Sequence, residues 1–185
     1  MKKKYMKFFF LIIVFSTVIC TVKAQKLTAI GKVSTQTNSY NVSKDADAKS
    51  PYPLKVVNIF SKFTNVKPTR SGYAKDEMHI LPVVIFNIKR KDLKNVLTYA
   101  LDRNRWESLS DESFFIDCFV NDGGMVEDVV FYLKSDTKLT AIDLEKIESA
   151  FKTKFQAKIT HAEFKGTFNY LPFGDSFTVK EILAP

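Results

Sequence analysis

Cysteine, histidine and glycine are all scarce in this 185-residue chain, and each scarcity removes a class of chemistry. There are two cysteines, two histidines and six glycines. Cys20 falls in an N-terminal targeting segment, which leaves Cys118 alone in the mature chain. No intramolecular disulfide can then form, so the fold must rest on an apolar core. His79 and His161 stand far apart, and no HExxH, CxxC or calcium-loop series occurs. No structural metal and no cofactor is expected. The glycines are scattered, with no phosphate-cradling loop, and there is no GxSxG elbow. Internal repeats and low-complexity tracts are also missing.

What is present begins with an export signal. Lys2, Lys3, Lys4 and Lys7 form a basic start, Phe8 to Cys20 is almost wholly apolar, and Val22-Lys23-Ala24 precedes Gln25. This is a signal-peptide pattern, too short for a comfortable membrane span. Residues 1–24 are therefore expected to be cleaved, delivering the chain to the periplasm or the medium. Contact with a membrane is expected only through that segment. Its five lysines account for most of the basic excess. Removing them leaves 23 basic against 20 acidic residues, a net charge of +3 instead of +8. Lys89-Arg90-Lys91 is a local run at the start of a helix, so no nucleic-acid partner is expected.

The clearest structural signal is Phe114 to Leu133, where two apolar runs flank Asn121-Asp122-Gly123-Gly124. Asp-Gly and Gly-Gly steps supply the positive φ of tight turns, so this is a β-hairpin. Phe114, Ile116, Cys118 and Val120 share one face with Val129, Phe131 and Leu133, and that face is the core face. Met125 and Glu127 are expected on the same side. Cys118 reads as a buried small hydrophobe. The opposite face is mixed, with Phe115, Asp117, Phe119, Val126, Asp128, Val130 and Tyr132.

Around the hairpin, residues 25–50 are polar and read as a mobile lead or an edge strand. Residues 51–185 are expected to form one domain. Leu54 to Phe63 is ambiguous: its β-branched residues allow a strand, but the apolar set (Val56, Ile59, Phe60, Phe63) fits one face of a short helix, which is the expectation. Asn65 to Glu77 reads as a loop and Val83 to Ile88 as a strand behind Pro82. Leu93, Val96, Leu97, Ala100 and Leu101 mark one helix from about Lys91 to Asn104, with Trp106 capping the core. Thr140 and Asp143 form a capping box, with Leu139 and Leu144 as a hydrophobic staple, before a second helix buried through Ile147, Phe151 and Phe155. Ala157 to Lys165, Thr167 to Leu171 and Phe177 to Leu183 read as strands, the last two separated by Pro172-Phe173-Gly174-Asp175. The fold class is α+β: a mixed, mainly antiparallel sheet with two main helices on one face and a central hairpin at 114–133.

The order helix, strand, Asp-Gly turn, strand, helix, strand over residues 91 to 170 resembles the TonB C-terminal-like fold of bacterial envelope proteins. The motif that carries the resemblance runs from Phe119 to Val129: an apolar strand, an Asp-Gly turn, then a valine-rich strand bearing an acid. The resemblance implies a small envelope domain that binds other proteins through a strand edge. It does not imply a role in energy transduction.

Two sets of residues are candidates for a site. Asp117 and Asp128 share a hairpin face, and two close carboxylates can share a proton or hold a cation. Tyr170 and Phe173 flank a Pro-Gly loop and offer an aromatic contact patch. The expected function is that of an exported, non-catalytic envelope protein that binds another protein as an adaptor. A small-ligand carrier is the alternative, and a hydrolase using Asp117 and Asp128 stands behind both. The protein recovered from the envelope is expected to begin at Gln25. A chain that keeps Met1 to Ala24, seen by intact mass, would refute cleavage.

Overall fold

A computed structural model describes residues 26–27, 29–47, 49–63, 66, 86–160 and 168–185. The targeting segment expected at 1–24, both histidines, most of the loop expected at 65–77 and the start of the strand expected at 83–88 lie outside these residues. So do positions 161–165 and Thr167.

Six strands form one sheet in the order β1-β2-β3-β6-β5-β8. They are β1 (Gly31–Ser34), β2 (Ser39–Lys44), β3 (Leu54–Asn58), β5 (Ser113–Val120), β6 (Val126–Leu133) and β8 (Leu171–Thr178). Every pairing within the sheet is antiparallel. A separate ribbon joins β4 (Phe86–Asn87) to β7 (Lys158–Ile159). The helices are α1 (Arg90–Ala100), α2 (Arg103–Ser108), α3 (Ala141–Lys154) and α4 (Val179–Leu183). α3 packs on β6 and on α1. The core between helices and sheet is continuous, from Val33, Val42 and Val56 through Phe131, Ile116 and Leu97 to Phe177 and Ile182.

The hairpin is formed by β5 and β6, as its pattern requires. Its connection is a three-residue loop, Asp122 to Gly124, closed by the Asn121 N–H on the Met125 carbonyl at 2.9 Å. The Asn121 side chain accepts from the N–H groups of Gly123 and Met125, and Gly124 turns to φ +82°. A bulge next to Phe119 then shifts the register by one. Beyond it Asp117 faces Val130 and Cys118 faces Val129, so the expected core face is kept. Inside the bulge Val126, not Met125 or Glu127, takes the buried place opposite Val120.

Of the two readings of the polar lead the edge strand holds: residues 31–44 supply β1 and β2, with β1 at the edge of the sheet. Four other local expectations give way to tertiary context. Leu54 to Asn58 is a strand, not a helix, because β2 and β6 pair with it on both sides. The helix expected to reach Asn104 breaks at Leu101, where Asp102 accepts from the Arg105 N–H at 2.8 Å and starts α2. That break brings Trp106 into the core, its indole N–H on the Leu97 carbonyl at 3.0 Å. Finally, Pro172 to Asp175 is not a loop. It belongs to β8, which pairs with all eight residues of β5, and the strand expected at Phe177 to Leu183 gives way after Thr178 to α4, which starts at a capping box of Thr178 and Glu181. The capping box at Thr140 and Asp143 forms as expected, and Arg105 adds two bonds to Asp143 at 3.0 and 2.6 Å.

Gly124 combines a left-handed φ with a site where any Cβ would strike the Ala157 carbonyl. Gly124→Ala is expected to lower stability by roughly 2–3 kcal/mol in urea unfolding. Gly123→Ala, with neither constraint, should cost less than about 1 kcal/mol. Equal losses at the two positions would refute this account of the turn.

Candidate functional site

The four candidate residues separate into two pairs. Asp128 and Tyr170 both hold the turn that follows β3. The Asp128 carboxylate is buried and accepts from Ser61 Oγ at 3.0 Å and from the N–H groups of Lys62 and Phe63 at 2.6 and 2.9 Å. Lys152 Nζ lies 3.7 Å from its other oxygen. The Tyr170 hydroxyl donates to the Val66 carbonyl, and its ring lies 4.6 Å from that of Phe63. Tyr170 is 2% exposed, which rules it out as part of an exposed contact patch. Burial of apolar surface between Phe63, Phe119 and Tyr170 outweighs the turn propensity of the Pro-Gly sequence beside it.

A dyad of Asp117 and Asp128 does not form. Asp117 is opposite Val130, and Asp128 is opposite Phe119. The two share a face on a diagonal, about 7–8 Å apart at the backbone, and the donors of the turn fill the coordination of Asp128. Among the described residues no group of three or more His, Cys, Asp or Glu side chains is placed to hold a metal.

Asp117 and Phe173 instead come together at the edge of the sheet, on either side of β8. Asp117 is paired with Gly174, and Cys118 with Phe173. Asp117 lies half-buried over Gly174, where a Cβ would run into its carboxylate and into the ring of Phe115. Burial raises the Asp117 carboxyl above its ordinary value. The Tyr132 hydroxyl, which donates to it, and Lys55 oppose that rise, while Asp45 adds to it. Burial first, then Asp117, push the Tyr132 hydroxyl well up, so it stays a donor. The Cys118 thiol, fully buried behind them, is also pushed well up by burial and is no nucleophile.

On its other face, Phe173 packs 5.7 Å from Phe155 and lines a groove of about 510 Å³. Phe86, Ile88 and Leu93 form the apolar wall across from Gly174. Among the described strands β8 is paired only through β5. The Ser176 carbonyl accepts from Arg90 Nη2 at 2.7 Å and its N–H donates to Asp175 Oδ1 at 2.8 Å, so Ser176 turns its backbone outward. Strand alternation then turns Pro172 and Gly174 outward as well. Pro172 has no N–H to lose, which suits an edge. Arg90 also binds Asp175 and Glu181 and lies 5.0 Å over the Phe177 ring. Arg90 thus covers the edge at Ser176, while at Gly174 no described strand pairs with it.

No family model and no curated protein matches the chain. The fold is similar to that of a DUF5043 family protein from Bacteroides uniformis, solved as a crystal structure, at a TM-score of 0.61. The two are 14% identical, and the match covers 85% of this chain and 92% of that one. At that identity the likeness is one of fold.

Arg90, Gly174 and the groove were not legible as a site. The one available signal was Pro172 inside an apolar run, which also fits an edge strand. The Asp117 carboxyl gives a test of the geometry. The folded chain holds its proton more tightly than the unfolded chain does. Its contribution to stability is therefore present below the ordinary carboxylate range and is lost as pH rises through the raised folded value. Asp117→Asn keeps an acceptor for Tyr132 and is expected to flatten that fall, read as the urea midpoint from about pH 3 to 8. An unchanged slope would refute the burial of this carboxyl.

Proposed function

We propose that this chain is an exported, non-catalytic binding module that takes an extended segment of an envelope protein onto the edge of β8 that no described strand covers. The observation that carries the reading is the outward backbone of Gly174 beside an apolar groove. An added strand satisfies the N–H and carbonyl of Gly174 and the carbonyl of Pro172, while alternate side chains enter the groove against Phe86, Ile88 and Leu93. The groove also lies in the size range of binding sites generally. The TonB C-terminal-like resemblance supports the same mode, since it implies recognition through a strand edge. Delivery to the periplasm or the medium rests on the signal pattern of residues 1–24.

A small-ligand carrier is the second reading. It is favoured by a larger groove of about 870 Å³ between α1 and α4, floored by Trp106 and Phe177. A photo-cross-linking side chain at Asn87, in the β8 groove, separates the two. It is expected to give protein adducts in envelope extract, whereas the same group at Tyr99, which lines neither of these two grooves, is not. Hydrogen exchange at the Gly174 amide should slow in the purified complex. Equal adducts at both positions, or unchanged exchange at Gly174, would overturn strand addition.

A further inference from the structure

Arg90 lines both grooves, so the apolar groove on β8 and the one along α1 adjoin at its side chain. The second groove differs in charge. Arg90, Lys91, Lys94 and Arg103 line it, against Glu181. Arg90 is engaged by Asp175 and Glu181, and Arg103 by Glu107 at 2.8 Å, which leaves Lys91 and Lys94 as the excess of charge. Glu181 is already engaged by Arg90 and by the Thr178 N–H and hydroxyl. Lys94 donates to the Ala184 carbonyl, a neutral partner that leaves its charge uncompensated. Lys91 has no ion pair among the described residues.

The start of α1 adds an independent observation. Lys89 occupies its N-cap without a side-chain cap bond, and Arg90 and Lys91 follow in the first turn. A helix N-terminus favours anions, and here the chain sets cations at it, with Asp92 the one acid in that turn. That arrangement is locally unfavourable, and an anion seated there relieves both the dipole and the like charges.

We infer that the extended segment taken up at β8 carries aspartate or glutamate next to its apolar residues, and that these carboxylates seat on Lys91 and Lys94. The inference rests on the strand-addition reading and names the chemistry of its partner. The apolar part of the segment fills the groove at Phe86 and Leu93. The acidic part passes Arg90 and lies along α1. Such pairs are solvent-exposed and each adds little, so their joint effect is about tenfold in affinity and is screened by salt.

A random library of displayed peptides of about twelve residues, selected against the full chain, tests this. Enriched sequences are expected to join an apolar, β-branched run to a cluster of Asp or Glu at one end. Synthetic copies should bind about tenfold more weakly to a Lys91→Glu, Lys94→Glu double variant. Copies with the acids replaced by serine should bind wild type and variant alike, with Gly174 exchange slowed in both. Enriched β-strand sequences without acidic bias, or no loss in the double variant, would overturn the inference and leave strand addition standing. No enrichment would overturn both.

Discussion

Strand β5 is paired on both sides, over Phe114 to Val120 with β6 and over all eight residues with β8, and the arrangement around the candidate site follows from that constraint. On one side the three-residue loop and the bulge bring β6 into the register that buries Val129, Phe131 and Leu133. On the other side β8 must extend through Pro172 and Gly174 to match all eight residues of β5. Glycine at position 174 is then needed because Phe115 and Asp117 close over it from β5. The same extension places an outward-facing backbone at the rim of the sheet, next to the ribbon of β4 and β7. A β5 paired over half its length would leave Pro172 to Asp175 free to form a loop, and no groove would exist.

The acidic residues divide between holding the fold and shaping the edge. Glu148, buried on α3, accepts from the Tyr40 hydroxyl at 2.7 Å and from Asn58, and Lys152 lies 2.8 Å from it. This ties β2 and β3 to α3, and Lys152 also reaches Asp128. Every one of these carboxylates is surrounded by donors, as buried charge demands. Asp175 and Glu181 have a different task. Together with Arg90 they cover the edge of β8 at Ser176, the kind of protection that keeps exposed strands from pairing at random. Protection that stops short of Gly174 confines any added strand to one stretch of the edge, beside a groove of fitting character.

Much of the architecture was legible in local chemistry. The alternation of Phe114, Ile116, Cys118 and Val120 specified a strand and its buried face. Thr140 with Asp143 specified where α3 starts, because the side chains that satisfy its first N–H groups are adjacent in sequence. The site was legible only in part. Phe173 lies on the edge strand β8 and Asp117 on β5 beside it, but on opposite faces and for reasons unrelated to a carboxylate pair or an aromatic loop. Asp128 and Tyr170 instead anchor the turn that follows β3.

The sequence by itself determined the elements whose signals span a few neighbouring residues: the hairpin, the two main helices, an α+β class and an export pattern at the N-terminus. Tertiary structure decided the identity of Leu54 to Asn58, the break at Leu101, the course of β8 and the clamp formed by Arg90. In each case the deciding partner is distant in the chain, such as β2 and β6 for Leu54 to Asn58, or Asp175, Ser176 and Glu181 for Arg90. A strand or an ion pair made with residues scores of positions away leaves no local period to read. Pairing energy gathered from both sides then overrides whatever the local sequence prefers.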